Sequence, residues 1–299
     1  MIQDPFQILK DIKVTKDFFV GIDSDGCAFD TMEIKHKECF CPNTILYWDL
    51  QIISKYVRES WDFVNLYSNT RGYNRFQALI RVIELLSKRK EVIDRKAKLP
   101  DLTPLIEWTK KETKLGNPAL EKYSLKNNDP IIQTTLKWSL EINKDVKKMV
   151  YGIPPFPLMK ESLVKLREKA DAMVISQTPV EALTREWDEN DITKYVSIIA
   201  GQEFGTKTEH LMYGAKGKYD DDKILMIGDA PGDKKAAKAN NVLFYPINPG
   251  REEKSWEKFY NEALDKFFTG EYKGDYEESL ITEFNKYLPS VPPWKEINK

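Results

Sequence analysis

Long apolar runs, a large net charge and a cysteine framework are all missing from this sequence. No apolar run approaches the roughly 20 residues that span a bilayer, which excludes a helical membrane segment. The N-terminal stretch MIQDPFQILKDIKVTKD carries scattered charges and no apolar centre, so a signal peptide is not expected. A formal net charge of -1 leaves no overall basic field for nucleic acid, although a local basic pocket for a small anion stays open. Three cysteines in 299 residues form no disulfide framework and point to a reducing cytoplasm. They are Cys27, Cys39 and Cys41, with His36 close by. A zinc site from His36, Cys39 and Cys41 lacks a fourth ligand and fits no standard spacing, so these read as ordinary thiols. Internal repeats and low-complexity tracts are also absent.

What is present is soluble globular material, 41% hydrophobic and 31% charged. The length suits two compact units, or one core with a large insertion. A short apolar run, Phe18 to Ile22, ends in the polar cluster Asp23-Ser24-Asp25-Gly26 and reads as a buried parallel strand. Similar runs recur at Ala172 to Ile175, Val196 to Ile199, Ile224 to Ile227 and Val242 to Tyr245. Helical patterns such as Met159 to Ala170 and Asp233 to Asn240 separate them, which implies βαβ units and an α/β fold of Rossmann-like parallel-sheet type.

About 150 residues lie between the first two strands, where a crossover needs only a dozen or more. Apolar residues recur at helical spacing from Ile45 to Trp61 and from Phe76 to Leu86, and a further helix is expected from Pro130 to Val150. Gly152-Ile153-Pro154-Pro155-Phe156-Pro157 cannot continue a helix and reads as a stiff return linker. The expected organisation is an α/β core of residues 1–30 and 153–250, interrupted by an all-helical insertion of residues 31–152. A helical extension, residues 251–299, is expected to pack on the core.

Ligands of a parallel sheet bind beyond the carboxyl ends of its strands. Those ends carry Asp23-Ser24-Asp25-Gly26, Ser176-Gln177-Thr178-Pro179, Gly201 to Thr208 with Lys207, and Gly228-Asp229-Ala230-Pro231-Gly232-Asp233. Asp220-Asp221-Asp222 precedes the fourth strand at the opposite edge and reads as a solvated turn.

These four segments, DSDG, a serine, a lysine and GDAPGD in that order, resemble the four motifs of the haloacid dehalogenase superfamily. The helical insertion after the first motif resembles the C1-type cap of its phosphatase branch. The motifs cover about half of the chain, and DxDG and GDxxxD are the specific ones. The resemblance implies a phosphate-monoester hydrolase that acts on a small phosphorylated metabolite through an aspartyl-phosphate. Asp25 argues against dehalogenase and phosphonatase chemistry, and the transport ATPases need membrane helices. A phosphomutase keeps the same residues and stays as an alternative, as does a catalytically idle binding protein.

The chemistry of the residues agrees. Asp23 suits a carboxylate nucleophile, and Asp25 a general acid and base. Two carboxylates ~4 Å apart repel by roughly 4 kcal/mol at an effective dielectric of about 20, so gathering acids beside a phosphate requires a cation. Oxygen-only ligands point to Mg²⁺. Asp23 and Asp229 would supply side-chain ligands, and the resemblance adds the Asp25 backbone carbonyl. Asp233 is expected behind them, acting through a metal-bound water or the lysine. Ser176, with Gln177 beside it at the helix start, is expected to bind phosphate. Lys207 would balance the nucleophile and the phosphoryl group, with Lys216 and Lys218 as alternatives. In the insertion, the polar loop Ser68 to Arg75 offers Arg71 or Arg75 to a second anionic group of the substrate.

Overall fold

The structure is a computed structural model that describes residues 4–295. The chain divides into two compact units. One comprises Met1–Met32 and Gly152–Leu288, the other Glu33–Tyr151 and Pro289–Lys299. No described helix is long and apolar enough to cross a membrane.

The first unit is built on a five-stranded, all-parallel sheet in the order β3-β2-β1-β4-β5. The strands are β1 (Phe18–Ile22), β2 (Ala170–Ile175), β3 (Ile198–Ala200), β4 (Ile224–Gly228) and β5 (Leu243–Pro246). Their continuous apolar runs follow from burial on both faces. Successive side chains point to opposite faces. Val20, Ile22, Val174, Leu225 and Ile227 enter a core with Trp187, Trp256 and Phe259. Phe19, Met173, Ile175, Ile224 and Met226 enter another with Leu9, Leu211 and Phe284. β3 begins later than the expected Val196, because Thr193–Tyr195 winds into a 3-10 turn first.

Three helices follow the strands that matter for the site: α1 (Val180–Glu189), α2 (Lys207–Gly214) and α3 (Pro231–Ala239). After β5 the chain forms a helix over Glu252–Lys258 that continues through a π turn, Phe259–Ala263, into Leu264–Thr269, and then a helix over Asp275–Lys286.

The second unit is all-helical, with Ser54–Asn65, Arg75–Ser87, Thr103–Lys111 and Pro130–Met149 as its longer helices. Its core gathers Trp61, Phe76, Trp108 and Trp138, with the Phe76 and Trp108 rings edge-on at 5.1 Å. The helical run expected from Ile45 to Trp61 is interrupted: Asp49 takes a left-handed conformation at φ 52° and ends the helix that covers Cys41–Tyr47.

The expected extension 251–299 divides at Leu288, and its described residues from Pro289 onward group with the helical unit instead of the core. The physical reason is aromatic: Trp294 lies over the Arg89 guanidinium at 4.6 Å and meets the Phe63 ring edge-on at 5.6 Å.

Candidate active site

β1 and β4 are neighbours, in register from Phe19 opposite Ile224 to Ile22 opposite Ile227. Their carboxyl ends therefore set Asp23 and Asp229 side by side. The Asp23 amide donates to the Ile227 carbonyl at 3.0 Å, carrying the ladder one residue past the strand. The chain then turns sharply. Gly26 takes φ 75°, a conformation that costs other residues steric energy, and its amide donates to the Phe29 carbonyl at 2.8 Å. Within the turn, the Ser24 amide donates to Asp23 Oδ1 at 2.8 Å.

Lys207 reaches this point from beyond β3. Thr206 caps α2 through a reciprocal pair with Glu209, which places Lys207 in the first helical position. Its ammonium donates to Asp23 Oδ2 at 2.7 Å and to Asp233 Oδ1 at 2.6 Å. The other Asp233 oxygen accepts the Ala230 amide at 3.0 Å at the start of α3. Asp233 packs so closely on the strand end that a β-carbon on Gly228 would lie 2.4 Å from its Cβ.

Asp23, Asp229 and Asp233 are all buried, and each offers an oxygen within 4.8 Å of the others. With all three carboxylates ionised, one ammonium would leave an excess of negative charge in this cluster. The effect shows in both partners. Burial pushes the Asp23 carboxyl well above the usual range, Lys207 opposes this, and Asp233 and Asp229 add to it. Burial alone would lower the Lys207 ammonium, but Asp23 and Asp233 outweigh it and hold it protonated. A divalent cation would remove the excess, and an all-oxygen donor set fits a hard ion. Among the described residues, this is the only such group of metal-ligating side chains. His36, Cys39 and Cys41 form none: the His36 Nδ1 accepts from the Trp61 indole at 3.2 Å, and burial pushes the two thiols up to about 11 and about 12.

Asp25 is separate from the carboxylate trio. Its Oδ1 accepts from the Thr31 hydroxyl and its Oδ2 from the Thr178 hydroxyl, the latter at 2.6 Å. Ser176 is buried at the end of β2; its amide donates to the Ala200 carbonyl at 3.0 Å, and its Oγ accepts the Thr178 amide at 3.2 Å. The Gln177 side-chain amide donates to the Gly205 carbonyl at 2.9 Å and so ties the loop after β2 to the loop that carries Lys207.

The alternative lysines are engaged elsewhere. Lys216 pairs with Asp221, and Lys218 donates to the Leu9 and Ile12 carbonyls at 2.8 and 3.2 Å. Within the helical unit, buried Arg71 donates to the Leu66 carbonyl at 2.8 Å. Arg75 donates to the Ser139 carbonyl and hydroxyl and to Asn143 Oδ1, with its guanidinium 4.9 Å from the Phe40 ring. Both arginines thus have structural partners inside their own unit.

Reading the sequence gave no role to Thr31, Thr178, Ser24, Glu186 or Trp187. Thr178 had a signal, two residues beyond Ser176 at a strand end. Trp187 and Glu186 had none, because their link to the DSDG turn exists only in three dimensions.

No family model matches the chain. No curated protein matches it. Among solved structures, it is similar to a haloacid dehalogenase-like family hydrolase from Streptococcus pneumoniae (13% identity, 83% of this chain and 92% of that one, TM-score 0.45). A haloacid dehalogenase-like family hydrolase from Xanthomonas campestris shares 11% identity over 88% of this chain and 97% of its own, at a TM-score of 0.43. A HAD-superfamily hydrolase of subfamily IA from Geobacter sulfurreducens shares 14% over 78% and 88%, at 0.38.

Proposed function

We propose that this chain is a Mg²⁺-dependent phosphate-monoester hydrolase that acts on a small phosphorylated metabolite, with Asp23 as a covalent nucleophile. The observation that carries this reading is the convergence of Asp23, Asp229 and Asp233 around Lys207 at the carboxyl edge of a parallel sheet. Asp25 stands two residues from the nucleophile.

Mg²⁺, held by Asp23 and Asp229 with Asp233 behind them, would neutralise the carboxylates and the substrate phosphate so that an anionic nucleophile can approach. Asp23 attacks phosphorus, and the ester P–O bond breaks as the new O–P bond forms. Asp25 gives its proton to the departing alkoxide, then accepts one from the water that hydrolyses the aspartyl-phosphate. The Thr31 and Thr178 hydroxyls hold the Asp25 carboxyl, and because a hydroxyl can donate or accept, they can partner it in both steps. Lys207 balances the negative charge of Asp23 and of the phosphoryl group in transfer, and Ser176 donates to a phosphate oxygen.

A phosphomutase would use the same residues, with a second substrate hydroxyl in place of water. The decisive experiment is an Mg²⁺ titration with 4-nitrophenyl phosphate on the wild type and Asp23→Asn. Phosphate release should require Mg²⁺ and fall roughly a thousandfold or more in the variant. Turnover that needs neither would overturn the assignment, and transfer to an added alcohol without phosphate release would favour the mutase.

A further inference from the structure

The Asp23-Ser24-Asp25-Gly26 turn is attached to the rest of the core through its middle serine. Ser24 and Trp187 are fully buried. The Trp187 indole Nε1 donates to Ser24 Oγ at 3.0 Å, and the Ser24 hydroxyl donates to Glu186 Oε2 at 3.1 Å. The Ser24 carbonyl accepts the amides of Ala28 at 2.9 Å and Phe29 at 3.1 Å. The Trp187 ring also meets Phe29 edge-on, at 6.0 Å and 76°. Glu186 and Trp187 are consecutive in α1, the helix that begins just after Ser176 and Thr178.

Each residue of a turn has two soft backbone dihedrals, and an error at Ser24 passes directly to the carboxylates on both sides. A buried hydroxyl costs free energy unless it is bonded, so an apolar side chain would suit the space between sheet and helix better for stability alone. A serine with one donated and one accepted bond fixes orientation instead. α1 thereby holds the turn twice, with Thr178 on Asp25 near its start and Glu186 with Trp187 on Ser24 two turns later.

We propose that Trp187 and Glu186 are positioning residues, which act through the Ser24 hydroxyl to hold the Asp23 and Asp25 carboxylates in reactive geometry. The inference rests on the phosphatase reading above and adds residues to it that touch neither metal nor phosphate.

The test is steady-state kinetics with Mg²⁺ and 4-nitrophenyl phosphate on full-length Ser24→Ala, Trp187→Phe, Glu186→Ala and Glu186→Gln, each with its thermal midpoint, beside the wild type and Asp23→Asn. Trp187→Phe keeps a buried ring beside Phe29 and removes the indole donor, while Glu186→Gln keeps an acceptor for the serine. Displacement of the reacting groups predicts that kcat falls roughly ten- to a hundredfold in the first three at unchanged KM, and that Glu186→Gln restores it. Should Ser24→Ala fold poorly, the two Glu186 variants decide. Values of kcat within about twofold of wild type in Trp187→Phe and Glu186→Ala, or equal losses in Glu186→Gln and Glu186→Ala, overturn the inference alone. Wild-type turnover that is absent or independent of Asp23 overturns the phosphatase reading and this inference with it.

Discussion

The Lys207 ammonium lies 2.7 Å from Asp23 Oδ2, although 184 residues separate the two in the chain. The same nitrogen reaches Asp233 at 2.6 Å, so one half-buried cation holds two of the three clustered, buried acids.

Lys207→Met removes that cation and leaves the acids facing one another. Breaking a buried ion pair from one side costs about 3–5 kcal/mol, so the variant should unfold at markedly lower urea concentration without metal. Added Mg²⁺ should recover part of the loss by taking over charge balance. Urea titrations with and without Mg²⁺ check this. An unchanged midpoint in the absence of metal would contradict the role given to the lysine.

Asp25→Asn keeps the side-chain size but has no proton to give. Hydrolysis of an alkyl phosphate should fall roughly a hundred- to ten-thousandfold, the usual contribution of a general acid or base. With an activated aryl phosphate, whose leaving group needs no proton, the phospho-enzyme should still form and then persist. Mass spectrometry after a single turnover reads this directly. Equal loss of phospho-enzyme formation from both substrates would remove Asp25 from that role.

Gly228→Ala places a methyl group 2.4 Å from the Asp233 Cβ, in a fully buried strand end. Overpacking of this kind costs about 1–3 kcal/mol. Relief requires Asp233 to move, and Lys207 with it, so kcat should fall along with stability. Full activity with an unshifted thermal midpoint would show that the site tolerates the displacement.

His210 links folding to pH. It is buried in α2, and burial, followed by the nearby Lys207 charge, lowers its pKa to about 4. The folded value lies below the unfolded 6.5, so the unfolded chain takes up the proton first. Stability is therefore lost as pH falls from about 6.5 to about 4, by roughly 3 kcal/mol for this group. His210→Leu should flatten that part of the curve. Urea midpoints at several pH values test it, and an identical slope in the variant would assign the acid sensitivity elsewhere.

The amino-acid sequence by itself determined the parallel sheet and the order of its chemical segments. Runs such as Ile224 to Ile227 must be buried on both faces, and DSDG and GDAPGD must then emerge at one edge, because parallel strands all end on the same side. It equally marked residues between the first two strands as helical, through local apolar periodicity. Contacts between distant segments were decided only by the tertiary structure. Trp294 belongs to the helical unit because Arg89 and Phe63 offer it a surface. Arg71 and Arg75, which look like free cations in a polar loop, turn inward to carbonyls that no local pattern announces. Thr31 and Thr178 converge on Asp25 from the two separate segments of the core chain, and Glu186 and Trp187 on Ser24. Periodicity records which face of an element is buried, since burial repeats with the helix or strand. A hydrogen bond between side chains far apart in sequence has no period, and it exists only once the sheet has brought its partners together.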